Sequence, residues 1–298
     1  MRLFIFACAT TALTTLGASS PAIAEDFDVH GSLGPSRFTR YVPPLSNPLF
    51  NETPYITSEL RPIYLHNEIP DSFPTHGGHI DLGAIQARLA LTERLGLIAT
   101  KDGYIHATYD NTFPDAQGWA DISLGLKYAI VSDPKSETIL TLGAEYETPS
   151  GGLSAGPISL QGGGAGLLDI FVTGATTFGK LGVQGSFGTN QAMDRHHDSS
   201  MVHYSAHVDY EVLPGLFPLF EVNGFSVVQS GHRTPLDVEG VDLVNFGSTG
   251  GGTVVTAAFG VRYKLTDHIR LGAGYERPIT NREDLLGSRV YVDLVLSY

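Results

Sequence analysis

The sequence predicts an all-β fold: a transmembrane antiparallel β-barrel of about twelve strands, with short periplasmic turns and long extracellular loops. Three observations predict it. Segment after segment alternates apolar and polar residues with period two, short and long connections alternate between those segments, and the final strand ends on an aromatic residue.

The chain opens on an export leader over residues 1–24. Arg2 gives the positive start, an apolar and small-residue stretch runs from Leu3 to about Ala18, and Ala22-Ile23-Ala24 forms an A-x-A cleavage site before Glu25. The stretch is short and rich in Ala and Thr, which argues against a membrane anchor. Cys8, the only cysteine, lies within it and comes too early for lipid attachment, so the mature chain has no disulfide. Of 18 basic residues the mature chain keeps 17, against 31 acidic ones, and the excess of negative charge excludes nucleic acid as a partner. After the leader no apolar run is long enough for a helical span. The 35 Gly, 13 Tyr and 15 Phe suit a membrane barrel instead. Residues 25–54, with Pro43-Pro44 and Pro48, read as an extended periplasmic arm leading to a barrel over 55–298.

Twelve strand segments follow: about 55–66, 79–91, 95–107, 118–131, 137–148, 167–178, 181–189, 202–212, 216–228, 253–264, 269–279 and 287–298. Val202 to Val212 shows the pattern, with Val202, Tyr204, Ala206, Val208, Tyr210 and Val212 on one face and His203, Ser205, His207, Asp209 and Glu211 on the other. The segments near 79–91, 95–107, 167–178 and 216–228 alternate less regularly. Their length suits tilted strands crossing a bilayer. The short turns are Thr92 to Arg94, Ser132 to Ser136, Gly179-Lys180, Leu213 to Gly215 and Thr266 to His268; the long loops are 67–78, 108–117, 149–166, 190–201, 229–252 and 280–286. An even strand count puts both ends of the barrel on the short-turn, periplasmic side. Tyr128, Tyr210, Tyr263 and Tyr298 fall on apolar faces at that end, and Tyr146, Tyr204 and Tyr275 at the other, as two aromatic girdles. A soluble β-sandwich or lipocalin-like barrel is the competing fold. Twelve long apolar stripes would overfill its core, and charges on the opposite stripe suit a lumen.

The region from about Asn47 to the C-terminus resembles a family of Gram-negative outer-membrane barrels related to the transporter family named for the MetA pathway of phenol degradation. The resemblance rests on Ile98 to Tyr104 (IATKDGY), Gly118 to Ile122 (GWADI), Leu124 to Tyr128 (LGLKY), Tyr146 to Gly151 (YETPSG), Leu219 to Gly224 (LFEVNG) and Tyr275 to Pro278 (YERP). It implies outer-membrane location and uptake of small solutes, including hydrophobic or aromatic compounds. It also implies that the terminal strand from Arg289 to Tyr298 is read by the barrel assembly machinery, with Tyr298 as the signal.

The lumenal stripe carries both signs of charge: Glu59, Arg61, Arg88, Asp121, Lys127, Glu145, Glu147, His203, His207, Asp209, Glu211, Glu221, Arg262, Lys264, Arg270, Glu276, Arg289 and Asp293. Charges in a lumen must be hydrated or paired, so two readings stand: a narrow polar pore, or a salt-bridged plug that holds the barrel shut. His203-Tyr204-Ser205 puts a base and a hydroxyl on one strand face, as some outer-membrane lipid hydrolases do, but it faces the lumen and lacks their Asn-Gly continuation. His76, His79, His196 and His197 lie at the extracellular ends, where solvated histidines are the ordinary reading and a transition metal the alternative. Gly162 to Gly164 and Gly250 to Gly252 have no following Lys-Ser/Thr and are loops, not phosphate sites. The sequence therefore points to an outer-membrane channel or transporter, lipid around it, and no cofactor or catalytic set.

Overall fold

Alternating strands bury both kinds of side chain only if the sheet closes on itself, because an open edge would leave main-chain groups unpaired in hydrocarbon. A computed structural model describes residues 27–298, and in it the sheet closes; the leader and its Cys8 lie outside the described residues. The barrel has twelve staves. The first two are β1 (Glu59–Glu68) and β2 (Gly78–Ala90). The third is split into β3 (Leu95–Ala99) and β4 (Tyr104–Tyr109), and the fourth into β5 (Ala116–Trp119) and β6 (Ile122–Asp133). β7 (Thr138–Thr148) follows, then a small loop hairpin of β8 (Ser154–Ala155) and β9 (Ile158–Ser159). The remaining staves are β10 (Leu167–Phe178), β11 (Leu181–Ala192), β12 (Ser200–Tyr210), β13 (Leu216–Gln229), β14 (Thr253–Lys264), β15 (Ile269–Pro278) and β16 (Ser288–Ser297). Each pairs antiparallel with its neighbours, and β1 pairs with both β2 and β16, Leu65 lying opposite Leu82 and Tyr291.

The faces are inverted relative to a water-soluble protein. Large apolar side chains look outward, among them Leu124 (56 % exposed), Ile170 and Phe259, while Arg61, Arg262 and Arg289 are buried inside. The outward band is a surface made for lipid. Tyr128, Tyr210 and Tyr263 are exposed at the short-turn end; Tyr146, Tyr275 and Trp119 are exposed at the long-loop end.

Several boundaries differ from the sequence reading, among them the fourth stave, which breaks at 120–121, and two have a clear physical cause. The first stave begins at Glu59, not at 55, because Tyr55 and Ile56 turn into the lumen, where Ile56 O accepts from Ser32 N at 2.8 Å. The third stave breaks at 100–103. There Lys101-Asp102-Gly103 disfavours a strand, and side chains take over the main-chain donors. Thr100 N donates to Glu145 at 3.0 Å, Lys101 N to Ser123 Oγ at 2.8 Å, and Asp102 accepts from Ile85 N at 2.9 Å. Gly103 has φ 115°, and a Cβ there would sit 2.6 Å from Gly83 O, so both its conformation and its space exclude a side chain.

The larger difference concerns the arm. Residues expected as an extended periplasmic leader run inside the barrel. Phe38, Tyr41, Tyr55 and Ile56 pack on Ala90, Ala129, Ala175 and Val295 of the wall, and Phe50 packs with Met201, Phe225, Val241 and Leu286 further up. The long loops fold inward to meet it, burying Phe73, Leu153, Leu160, Leu243, Phe246 and Leu285. A twelve-stave barrel is wider than eight staves, which side chains alone fill, and here chain fills the remainder.

Candidate functional site: the occupied lumen

Sixteen of the eighteen charged residues read as lumenal are buried; Glu211 and Lys264 are half-buried at the short-turn rim. Most of the basic ones share one side of the barrel. Arg262 and Arg61 converge on Asp293, Arg262 Nη1 at 2.7 Å and Arg61 Nε at 2.6 Å. Arg88 reaches Glu59 at 3.1 Å and, from the arm, Glu52; Lys127 Nζ reaches the same Glu52 at 2.7 Å. The arm also lays carbonyl oxygens along this wall. Arg262 donates to Pro43 O at 2.9 Å and Pro44 O at 3.1 Å, Arg61 to Leu45 O at 3.2 Å, Arg270 to Tyr41 O at 3.1 Å, and Lys127 to Thr53 O at 2.8 Å. Guanidinium and ammonium groups thus find oxygen acceptors without water, as buried cations must.

The opposite wall is acidic and accepts from the arm's donors. Glu221 takes Leu45 N at 2.8 Å and Ser46 N at 2.6 Å, and Asp209 is paired with Arg40. Between these carboxylates sits His207, Nδ1 2.6 Å from Glu221 and Nε2 3.2 Å from Asp209. Glu145 is held by Thr100 and Ser123, and Glu147 by Lys101 Nζ at 2.6 Å. On the basic side, opposite Arg289 in the register, Glu276 is held by Asn223 at 2.8 Å and by Thr256 and Tyr291.

The long loops supply the other seal. Arg289 pairs with Asp242 at 2.6 Å, and Asp121 accepts from Gly151 N and Gly162 N at 2.7 and 2.9 Å. Glu239 gathers Ser199 Oγ, Phe246 N and Ser248 N at 2.6–3.0 Å. Burial raises the Asp198 carboxyl pKa and lowers that of the Arg233 guanidinium beside it. Burial pushes Asp284 up to about 6 against the lowering pull of Arg282, 2.9 Å away.

His203 and Ser205 do not face each other as base and nucleophile. His203 Nε2 lies 2.7 Å from Asp169 and its ring stacks on Phe50, while Ser205 Oγ donates to Asn223 at 2.7 Å. No group of three or more potential metal ligands forms among the described residues, the extracellular histidines included. Tyr298 is 69 % exposed, its N–H donating to Ser58 O at 2.9 Å and its ring stacked on His30. Tyr291, on the opposite face of the same strand, is buried with its hydroxyl on Glu276.

Space left in the lumen is uneven. Cavities beside Leu49 and Phe50 hold about 40 and 10 Å³, whereas two cavities at the short-turn mouth hold about 540 and 460 Å³. Sequence reasoning missed the arm's part in the site. The signal available was its own composition: Phe38, Tyr41, Leu45, Leu49, Phe50, Tyr55 and Ile56 are more apolar than a leader in water needs.

No family model and no curated protein matches the chain. Among solved structures it is similar to an outer membrane channel from Pseudomonas putida F1, with TM-score 0.62 and 13 % identity over 87 % of this chain and 100 % of that one. The NanC porin (TM-score 0.48, 11 % identity, 81 % and 99 % covered) and the KdgM porin (0.47, 13 %, 80 % and 99 %) are more distant. At such identities the likeness is one of fold, that of the closed outer-membrane barrel.

Proposed function

We propose that the protein is an outer-membrane channel for small solutes whose resting lumen is occupied by its own N-terminal arm. The observation that carries this is how the arm is attached. Over residues 39–57 no bond from main chain to main chain joins it to the wall among the described residues; every polar contact with the wall has a side chain on one of its two ends. Such a segment can leave without opening any stave pairing, and its departure uncovers a polar passage with a basic and an acidic wall. A barrel plugged only for rigidity is the alternative. The apolar outer face and girdles support residence in the outer membrane, and the resemblance to phenol-degradation transporters supports solutes that include hydrophobic or aromatic compounds.

Ser46 Oγ lies 2.8 Å from Asn223 Nδ2, and the mature chain has no cysteine of its own, so a Ser46→Cys/Asn223→Cys pair gives a reversible lock. Planar-bilayer recording is expected to show intermittent conductance for the wild type, none for the oxidised pair, and recovery on reduction. Identical silence in all three, and after deletion of residues 25–54, would leave the rigid plug as the function.

A further inference from the structure

Arg270 differs from the other buried arginines of the barrel wall. Arg61 and Arg262 pair with Asp293, Arg88 with Glu52 and Glu59, and Arg289 with Asp242. Arg270 is as buried, at 5 % exposure, yet no carboxylate lies within ion-pairing distance of it among the described residues. It is nonetheless fixed in place: Nε donates to Tyr41 O at 3.1 Å, Nη1 to Ser297 Oγ at 3.0 Å and Asp267 O at 3.3 Å, and the guanidinium stands 5.0 Å over the Tyr41 ring. Nη2 has no hydrogen-bond partner among the described residues. A guanidinium that is held in place at a cavity, with a donor facing it and no counter-ion, favours an anion there.

The space beside it suits one. Arg270 borders the 460 Å³ cavity at the short-turn mouth, within the size range of small-molecule sites. On one side the arm's Leu33, Pro35, Phe38 and Tyr41 make an apolar wall. On the other lie Arg270 and Lys264, the latter already paired with exposed Asp267 at 2.6 Å. An inorganic anion would leave the apolar wall unused, and a neutral apolar solute would leave the guanidinium unanswered. We propose that this cavity binds an amphiphilic monocarboxylate, its carboxylate on Arg270 and its apolar body against Leu33, Phe38 and Tyr41. The site stands on the geometry of the mouth and does not require passage through the barrel.

The test uses full-length protein in nanodiscs of zwitterionic lipid, with empty discs as blank and 4-phenylbutyrate and 4-phenylbutanol as probes, read by calorimetry. The acid is expected to bind at least about tenfold more tightly than the alcohol, the weight of one charge-assisted contact. Arg270→Met should abolish that preference and Arg270→Lys should keep part of it, heat-modifiable mobility confirming that each barrel has assembled. Leu33→Trp, on the arm, fills the cavity while leaving the wall untouched, and should abolish binding of the acid even if Arg270→Met fails to assemble. Equal binding of acid and alcohol, or undiminished binding in Leu33→Trp, would overturn the site. Loss of acid binding when anionic lipid is added to the discs would assign the cavity to a lipid headgroup and overturn a free carboxylate as its ligand.

Discussion

The wall and the arm occupy the same cylinder and are held by different means. In the wall every stave is laced to both neighbours through main-chain hydrogen bonds, as hydrocarbon demands. The arm, a few ångströms inward, is held by side chains on charges and carbonyls, with two aromatic clusters as footholds. Main-chain lacing is independent of residue identity and fails only as a whole. Side-chain attachment is specified residue by residue and can be undone piecemeal, so mutations should separate the two.

The largest effect belongs to the wall. Tyr298 ends the seam stave, where its N–H meets Ser58 O, and Tyr298→Asp or its deletion is expected to abolish most assembled barrel on heat-modifiable gels. Assembly at wild-type level would remove Tyr298 as the assembly signal.

Next comes Glu52, the arm's acidic anchor for both Arg88 and Lys127. Removing one partner of a buried ion pair costs about 3–5 kcal/mol. Glu52→Ala should leave the wall assembled but release the arm, so that trypsin cuts after Arg40 about a hundredfold faster or more. An unchanged cleavage rate would show that the aromatic footholds alone keep the arm in place. Glu221→Gln should act in the same direction and less. It weakens charge-assisted bonds to Leu45 N and Ser46 N, each worth roughly 1.5–3 kcal/mol, and leaves a neutral acceptor behind.

The smallest effect lies in the loop seal. Asp284 is raised from 3.8 to about 6, so the folded loop holds its proton more tightly than the unfolded chain does. Its contribution is therefore favourable at low pH, declines as pH rises from about 4 to about 6, and is flat above. Proteolysis of the 280–287 loop should quicken over that window, and Asp284→Asn should remove the dependence. A rate independent of pH in the wild type would mean that Arg282 keeps Asp284 ionised throughout.

These contrasts follow what the sequence made legible. Period-two alternation reports a side chain's face, and it located β7 and the staves from β10 to β16 within a few residues, because a one-residue slip would turn each apolar stripe inward. It also sorted Arg61, Glu221 and Asp293 to the inner face. What alternation cannot report is what lies opposite that face. Arg61 and Asp293 sit on the first and last staves, and their meeting depends on closure. The arm has no period at all. Its Pro43-Pro44 and Pro48 give an extended path that looks alike in solvent and in a lumen, where the carbonyls of Pro43 and Pro44 serve as acceptors for arginine. The break at 100–103 was equally hidden, since Ile98 and Tyr104 keep the stripe running across it.

One feature of the arm bears on how the molecule is put together. Phe38 and Tyr41 on its outgoing limb touch Tyr55 on its returning limb, at 5.3 and 5.5 Å between ring centres, and Phe50 lies far up the lumen among residues of the long loops. Gly31, with φ 62°, lets the limbs close where a Cβ would strike Ile56 O. The arm is thus a tongue with both roots at one mouth. Nothing needs to be threaded, so the cylinder can seal first and the tongue slide in afterwards, and it can be withdrawn and reinserted any number of times without undoing the seam.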